Sequence, residues 1–305
     1  MKMSKVIVVI GPTSVGKTKM GVELAKKLNG EVISGDSMQI YKGMNIGTAK
    51  VTSEEMEGVV HHCIDILDPK DTYSVKDFQD IVRQKIDDIV ARKKTPIIVG
   101  GTGLYIKAAL YDYEFSETRD DHMTFRNKYK DYDDEALYQH LISIDEKSAK
   151  ELHPHNRQRV LRAIEIYEET GRKKSDIVDS QKHICLYDAY FVGLTLERSL
   201  LYERINHRVD VMKDMGLEEE VTKLYHQGLT RVHQSMKAIG YKEWFDYFEG
   251  TISKEEVYEL IKQHSRQYAK RQYTWFKNQF DVHWYDVNLE DFHQTVECVL
   301  QDIQK

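Results

Sequence analysis

Residues 6–28, VIVVIGPTSVGKTKMGVELAKKL, contain an apolar run, a glycine-rich segment and a helical pattern in immediate succession. Residues 6–10 are β-branched and apolar, which is typical of a buried parallel strand. Residues 11–18 match the phosphate-binding pattern G-x-x-x-x-G-K-[ST], and the apolar positions of 20–28 recur at helical spacing. Strand, glycine loop and helix are the context that this pattern requires. We therefore predict a phosphate site at residues 11–18.

The chemistry of the predicted site follows from its backbone. Glycines let the N–H groups of the loop turn inward, and the start of the following helix adds positive partial charge, so the loop surrounds phosphate oxygens. Lys17 is expected to reach the outer phosphate, and Thr18 to place its hydroxyl on a Mg²⁺ ion. The residues expected to bind the phosphates are Gly11, Pro12, Thr13, Ser14, Val15, Gly16, Lys17 and Thr18.

Composition limits the class of protein. The chain has 305 residues, of which 41% are hydrophobic and 31% charged, so we expect a globular protein of two domains, or of one domain with a large insertion. No apolar run approaches the ~20 residues that span a bilayer, and the N-terminus has no secretory pattern. The three cysteines are scattered without a C-x-x-C pair, which indicates reduced thiols in a cytoplasmic protein.

One segment departs from the acidic average. The net charge is −6, yet residues 262–277 carry five Lys or Arg and no acidic residue, which suggests a specific anionic partner. On a helical wheel, Tyr273 shares a face with a basic stripe formed by Lys262, Arg266, Lys270 and Lys277. Such a stripe is typical of a helix that lies along a phosphodiester backbone, and a solvated face is the alternative. The opposite face carries side chains interpreted as core: Ile261, Tyr268 and Trp275.

The first 113 residues alternate strand and helix patterns. A short strand is predicted at 31–34, an amphipathic helix over 75–90 that begins after Thr72 or Ser74, and a strand at 95–99 that enters the glycine-rich segment GGTGL at 100–104. This alternation predicts a doubly wound α/β core with a parallel sheet. Ligands of such sheets bind beyond the carboxyl ends of the strands. The loops that contain Gly11, Asp36 and Thr102 should therefore converge.

The pattern changes after residue 113. Up to residue 187 the segments are short, charged and helical in period, and the clearest is 157–170, with Asn156 as its cap and Gly171 as its stop. A strand at 189–194 then returns to the core, and the rest is predicted to be helical, at 198–215, 218–227, 235–248, 253–280 and 291–302. We predict an α/β fold: a P-loop NTPase-like core with a parallel sheet flanked by helices, formed by 1–113 and 188–305, plus an all-helical insertion domain at 114–187.

Two polar groups are candidates for chemistry in the crevice. Asp36 directly follows the strand at 31–34, so its carboxylate should face the ligand. It could orient Mg²⁺, bind an acceptor or act as a general base, and a solvated turn carboxylate is the structural alternative. The segment at 100–104 could offer backbone donors and the Thr102 hydroxyl to a diphosphate, or it could be a packing turn.

Taken together, the motifs resemble those of the tRNA dimethylallyltransferases, also called tRNA isopentenyltransferases. In chain order they are GPTSVGKT at 11–18, DSMQIY at 36–41, GTAK at 47–50, HHCID at 61–65, PIIVGGTGLY at 96–105, NRQRVLRAIE at 156–165, AIGYKE at 238–243 and YAKRQYTWF at 268–276. The motifs follow the family order along nearly the whole chain. The resemblance is therefore far more specific than the phosphate pattern alone.

The resemblance implies a reaction. A dimethylallyl group would move from dimethylallyl diphosphate to N6 of the adenosine at tRNA position 37, just 3′ of the anticodon. The catalytic residues that it implies are Asp36, Lys17, Thr18, Thr102 and Arg208. Asp36 would take the proton from N6, and the others would stabilise the diphosphate leaving group, with Mg²⁺ on Thr18 as the cofactor. Arg204 is the alternative to Arg208 for the diphosphate contact.

The resemblance also implies the anticodon stem-loop of tRNA as a partner, with an extruded adenosine entering the crevice. Together with the basic stripe, this gives the expected tRNA-binding residues: Asp36, Ser37, Met38, Gln39, Thr102, Gln158, Arg159, Val160, Leu161, Arg162, Arg266 and Lys270. We expect a cytoplasmic monomer without membrane contact. Two alternatives are a P-loop small-molecule kinase, which would leave the basic stripe without a purpose, and an isopentenyltransferase acting on free adenine nucleotide, which would lack the tRNA-binding helices.

Overall fold

The computed structural model describes residues 4–113, 115 and 122–305. The chain divides into two compact units: the first comprises the chain up to Leu110 and from Cys185 onward, and the second runs from Tyr111 to Ile184. The predicted start of the insertion, residue 114, lies outside the described residues. Within the first unit, the Leu186 N–H donates to the Leu110 carbonyl at 2.8 Å. The chain therefore leaves and re-enters the first unit at neighbouring positions.

The described part of the first unit contains one parallel sheet of six strands. In spatial order they are β3 (His61–His62), β2 (Gly30–Ser34), β4 (Thr95–Val99), β1 (Lys5–Ile10), β5 (Asp188–Thr195) and β6 (His283–Asp286). In β1, Val8 is aligned with Ile98 of β4 and with Phe191 of β5. Residues 6–10 are all buried, as expected for a central strand covered on both faces. Because the strands are parallel, the loops at their carboxyl ends meet at one edge.

Helices cover the sheet. Before the second unit, the chain forms α1 (Lys17–Lys27), α2 (Ser53–Met56), α3 (Val75–Ala91) and α4 (Gly103–Leu110). The buried face of α1 packs on the sheet in one apolar core that contains both Met20 and Val9. Of the two predicted starts of α3, Ser74 is the cap: its hydroxyl accepts from the Asp77 N–H at 3.1 Å, and its own N–H donates to the Asp77 carboxylate at 2.8 Å.

The described elements of the second unit are all helices. They are α5 (His122–Lys128), α6 (Asp134–Ile144), α7 (Glu146–Glu151), α8 (Arg157–Thr170) and α9 (Lys174–Ser180). These helices have their own apolar core, in which Leu137 and Val160 are fully buried. As predicted, α8 ends at Gly171, which is left-handed with φ of 69°. Asn156 lies at the N-cap position, as predicted, although its side chain makes no capping hydrogen bond.

The chain then returns to the first unit. It forms α10 (Arg198–Asp214), α11 (Leu217–His226), a 3₁₀ turn (Ser235–Lys237), α12 (Trp244–Phe248), α13 (Lys254–Gln279) and α14 (Phe292–Gln304). Two predictions were wrong here. The sequence did not predict β6, because its four residues have exposed ends and no continuous apolar run. The helix predicted over 235–248 is interrupted because Gly240 has a φ of 96°.

A buried carboxylate stabilises the edge of the sheet at which the strands begin. The side chain of Glu31, in β2, is 2% exposed and accepts hydrogen bonds from Arg92 and, at 2.7 Å, from Lys94. His62 of β3 lies with Nε2 2.7 Å from the same carboxylate. The hydrogen bond from Arg92, followed by those from Lys94 and His62, lowers the pKa of Glu31 against the opposing effect of burial. One charge therefore links β2 to β3 and to the segment that connects α3 to β4.

Replacing Glu31 with glutamine should lower the free energy of unfolding by roughly 2–4 kcal/mol at pH 7, because the surrounding donors lose a buried anion. A carboxyl group whose pKa is lowered by folding stabilises the protein above its unfolded pKa of about 4.3, and this contribution is lost as the pH falls. The difference in the free energy of unfolding between wild type and Glu31→Gln, measured by urea unfolding, should therefore become smaller below about pH 4.3. Glu57→Gln, which removes an exposed partner of Lys26, is the control. A gap independent of pH would contradict the assignment.

Candidate active site

The phosphate loop, residues 11–18, connects β1 to α1. At Gly11 the φ is 143°, and an added Cβ would meet the Leu194 carbonyl oxygen at 2.5 Å. Gly16 precedes α1 with a φ of 104°, and Ser14 has a φ of 64°. These left-handed positions turn the loop over the N-terminus of α1, where the positive end of the helix dipole lies. The predicted strand, loop and helix are confirmed.

The loops after β2 and β4 meet beside each other. The Thr102 N–H donates to the Gly35 carbonyl at 3.2 Å, and the Ser37 N–H donates to the Thr102 hydroxyl oxygen at 3.2 Å. Between them, the Asp36 carboxylate accepts the Met38 N–H at 2.9 Å with Oδ1. The predicted convergence of these loops is confirmed. Thr102 is thus directly bonded to the loop that carries Asp36.

Two adjoining cavities open along these loops, with volumes of about 520 Å³ and about 360 Å³. The first cavity is lined by Lys17 and Thr18, and the second by Thr102. The residues that line both are Thr13, Ser14, Asp36, Thr48, Ala49, Arg208, Met212 and Tyr268. The second cavity has an apolar wall of Ile205, Val209, Met212, Ala238, Ile239 and Ile261. Every lining residue belongs to the first unit, and Asp36 lies where the two cavities join.

Lys17 carries an unusual charge state. Its ammonium donates to the Pro12 carbonyl at 2.7 Å. Burial, and then the Arg208 guanidinium, lower the pKa of Lys17 to about 7, and the Asp36 carboxylate opposes them. Its surroundings in the empty site therefore disfavour the charged form of this side chain. An anion bound in the loop would favour its charged form.

Two arginines from α10 reach the phosphate loop. Arg204 donates from Nε to the Ser14 carbonyl at 3.0 Å. Arg208, one turn later, lies with Nη1 3.5 Å from the Thr13 hydroxyl oxygen and with Nη2 3.4 Å from the Ala49 carbonyl. Burial lowers the pKa of Arg208. The two candidates for the diphosphate contact thus both lie at the loop.

The donor groups of the loop suit a magnesium ion bound together with phosphate. The Ser14 hydroxyl is buried and has no hydrogen-bond partner in the described part of the chain. Thr18, at the start of α1, lines the first cavity. The described residues contain no cluster of three or more His, Cys, Asp or Glu that could hold a metal by itself. A hydroxyl with few protein carboxylates fits Mg²⁺, which keeps waters and takes its other ligands from substrate phosphates.

The segment 45–50 forms the wall shared by the two cavities. The Glu220 carboxylate of α11 accepts the N–H groups of Ile46 at 2.8 Å and Gly47 at 3.1 Å, and also the Tyr241 hydroxyl at 2.6 Å. An added Cβ on Gly47 would meet the Tyr241 ring at 2.4 Å. Gln39, a predicted tRNA contact, instead donates to the carbonyls of this wall, at 3.3 and 3.4 Å. The wall is therefore held from both sides.

Two residues of α13 belong to the site although the sequence reasoning missed them. The Gln272 amide accepts the Thr13 N–H at 2.9 Å and donates to the Gly101 carbonyl at 3.0 Å. The Tyr268 hydroxyl donates to the same carbonyl at 3.3 Å and lines both cavities, so its interpretation as a core residue was wrong. Gln272 lies one turn from Tyr268, on the helix face of Ile261. A polar residue within an apolar stripe was the available signal.

The other predicted tRNA contacts differ in exposure. On α8, Gln158 and Arg159 are exposed, while Val160 is fully buried, Leu161 packs against the core of the second unit and Arg162 pairs with Glu165. The side chain of Val160 is therefore closed to a ligand.

The basic stripe on α13 is uneven. Lys270 is exposed, Arg266 is half-buried and donates to Asn206 at 2.5 Å, and Lys262 pairs with Asp210 at 2.7 Å and with Glu259 at 3.0 Å. Lys270 is thus the stripe residue with the least compensated charge of these three.

The fold and the site define a P-loop NTPase-like α/β protein whose phosphate loop shares a cavity with the carboxylates of Asp36 and Glu55. A sequence profile described as IPP transferase matches residues 39–279. A tRNA dimethylallyltransferase of Bacillus cytotoxicus is 52% identical over 97% of this chain and 93% of its own. A tRNA dimethylallyltransferase of Geobacillus kaustophilus is 55% identical over 93% of this chain and 90% of its own.

Solved structures agree with these relatives. A tRNA isopentenylpyrophosphate transferase of Staphylococcus epidermidis is 46% identical, with a TM-score of 0.74 over 99% of both chains. A eukaryotic dimethylallyltransferase acting on tRNA is 32% identical, with a TM-score of 0.85 over 98% of this chain and 77% of that one. The chain belongs to the IPP transferase family.

Binding of inorganic diphosphate should take up protons above about pH 7, because the anion raises the pKa of Lys17 from about 7. The contribution of Lys17 to affinity is complete below that pH and is lost as the pH rises past the raised pKa. Calorimetry in buffers of different ionisation enthalpy measures the uptake. Lys17→Met is the control. Subtracting its proton uptake from that of the wild type removes the contribution of the titration of diphosphate itself. Equal proton uptake by the two proteins would refute the assignment.

Proposed function

We propose that this protein transfers a dimethylallyl group from dimethylallyl diphosphate to N6 of the adenosine at tRNA position 37, giving N6-(dimethylallyl)adenosine and diphosphate. The observation that carries the proposal is the position of Asp36 at the junction of two cavities, one of which begins at the phosphate loop. The names of the relatives favour tRNA as the acceptor over a free adenine nucleotide or the acceptor of a kinase.

The diphosphate end of the donor would bind in the phosphate loop. Lys17, Arg204 and Arg208 place three side-chain cations around it, and N–H groups at the start of α1 add partial positive charge. Negative charge builds up on the diphosphate as the allylic C–O bond breaks, so donors held in place beforehand stabilise the transition state. The Thr13 N–H is already donated to Gln272, so we assign the diphosphate contacts to the N–H groups that follow it.

Magnesium would bind at the same end. When bound, Mg²⁺ supplies positive charge to the leaving diphosphate. The Thr18 hydroxyl is the protein ligand that we assign, and the unpartnered Ser14 hydroxyl is the nearest additional oxygen within the loop.

The acceptor adenine would enter through the second cavity. Its N6 amine is a weak nucleophile, because the lone pair is delocalised into the ring. As the N6–C bond forms and the allylic C–O bond breaks, Asp36 would take the N6 proton, and the electron pair of the C–O bond would leave with the diphosphate. The apolar wall of the second cavity, which includes Val209 of α10 and Ile239 in the segment before α12, offers a surface for the five-carbon group. The adenosine must leave the stack of the anticodon loop to reach this point.

The tRNA itself would lie against the basic stripe of α13 and the exposed residues Gln158 and Arg159 of α8. The helical unit, residues 111–184, would contact the anticodon stem. No helix in the described chain has the length and apolarity needed to cross a bilayer. The three cysteines are unpaired, which agrees with a reducing cytoplasm as the place of action. We further propose that the enzyme works as a monomer, since one chain by itself supplies the phosphate loop, Asp36 and the apolar wall of the second cavity.

Replacing Asp36 with asparagine should lower the turnover number by about 10²–10⁴-fold, because the amide cannot take a proton. Its Oδ1 can still accept the Met38 N–H, so the loop should keep its shape. Turnover is measured with labelled dimethylallyl diphosphate and unmodified tRNA, and affinity with inorganic diphosphate. Asp281→Asn, at an exposed carboxylate outside the cavities, is the control. Unchanged turnover would refute Asp36 as the base, and transfer of a phosphoryl group from ATP would refute the proposed function.

Lys270→Ala should weaken tRNA binding and reduce the slope of log affinity against log salt by about one, the effect of one lost phosphate contact. Lys262→Ala is the matched comparison on the same stripe. It should change the slope less, because Asp210 and Glu259 already neutralise Lys262. Filter binding over a range of salt concentrations measures both slopes. If neither variant alters the slope, the basic stripe does not contact the RNA backbone.

A further inference from the structure

We infer that Gln272 is a positioning residue that fixes the phosphate loop relative to the second glycine loop, residues 100–103, and that donor binding depends on it. The inference rests on the proposed function for the identity of the donor. No other described side chain bridges these two loops by hydrogen bonds to the backbone of each. Gln272 comes from the long helix α13, far along the chain from both loops.

The two hydrogen bonds match the donor and the acceptor of an amide. The Thr13 N–H can only donate and the Gly101 carbonyl can only accept, so the bridging side chain must offer one acceptor and one donor. Gln272 meets both needs, with Oε1 2.9 Å from the Thr13 nitrogen and Nε2 3.0 Å from the Gly101 oxygen. A glutamate would lack the donor, and an asparagine would be one methylene shorter. The side chain is also buried, so water does not readily replace either bond.

The packing around the amide is equally restrictive. A Cβ added to Gly101 would lie 2.1 Å from Gln272 Nε2, and the other side chain within reach, that of Tyr268, would be 3.9 Å away. Gly101 does not have a left-handed φ, so an alanine at 101 would not strain its own backbone. It would instead clash with the Gln272 amide. Glycine at 101 and glutamine at 272 therefore form a matched pair.

The Gln272 side chain is connected to the proposed reacting groups through Thr13 in the phosphate loop and through Thr102 in the second glycine loop. Thr13 carries the hydroxyl next to Arg208, at 3.5 Å, and Thr102 follows Gly101 and binds the loop that carries Asp36. A change in the spacing of the two loops would therefore move the diphosphate site relative to the base. Misplacement of reacting groups by about 1 Å can reduce rates by about a hundredfold.

A double-mutant cycle tests the inference, using Gln272→Ala, Gly101→Ala and the double variant. Each single substitution should raise the KM for dimethylallyl diphosphate and the Kd for inorganic diphosphate by about tenfold or more, with the KM for tRNA changed by less than about threefold. The double variant should bind no more weakly than Gln272→Ala alone, because without the amide the alanine at 101 meets no obstacle. Gln267→Ala, at an exposed position on the same helix, is the matched control.

Gln272→Met separates the loss of the two hydrogen bonds from the loss of folding. It keeps the length and most of the volume of the side chain while it removes both hydrogen bonds. It should reproduce the selective loss of diphosphate affinity while its far-ultraviolet circular dichroism matches the wild type. Additive effects in the cycle, or a parallel loss of affinity for both substrates, would overturn the inference. A wild-type protein that does not prenylate tRNA would overturn the proposed function instead, and the diphosphate affinities would still test Gln272.

Discussion

The close approach of Gly11 to the backbone of β5 is the constraint on which the rest of the site depends. A Cβ at residue 11 would lie 2.5 Å from the Leu194 carbonyl oxygen, so only glycine lets β1 end in the middle of the sheet beside its neighbour. That ending sends the chain over the N-terminus of α1. Because β1 is flanked by β4 and β5, the loops after the neighbouring strands open at the same edge. The position of the phosphate loop is thus a consequence of sheet topology.

Gathering cations at that edge opposes folding and favours binding. Lys17 and Arg208 both have lowered pKa values, with burial as the largest cause, and Asp36 is the carboxylate that offsets the Lys17 shift. The cationic side chains of such a site are protonated less readily than they would be in water. Their charged forms are stabilised most when an anion of high charge binds. Donors that are oriented before the ligand arrives need little reorganisation during the reaction. The same desolvation that disfavours charge in the empty site would strengthen its attraction for a bound anion.

Features set by local chemistry could be predicted from the sequence, and features set by distant contacts could not. The glycine loop after β1, the cap at Ser74 and the stop at Gly171 each depend on a few adjacent residues; the loop and the stop were predicted, and Ser74 was one of two predicted caps. Gln272 bridges loops that lie 259 and 171 residues from it in the sequence, and its role depends on tertiary geometry. The strand β6 was missed for a related reason, because an edge strand of four residues takes its identity from pairing with β5.

The carboxyl-terminal part of the first unit does more than complete its core. The wall at 45–50 is held by Glu220 and packed by Tyr241, the phosphate loop is reached by Arg204 and Arg208, and Gln272 links two loops of the amino-terminal half. The amino-terminal half supplies the glycine-rich loop at 11–18 and the loops that carry Asp36 and Thr102, and the later helices fix the distances between these loops. Since the chain leaves at Leu110 and returns beside it at Leu186, a helical unit can be inserted between the halves without disturbing this arrangement.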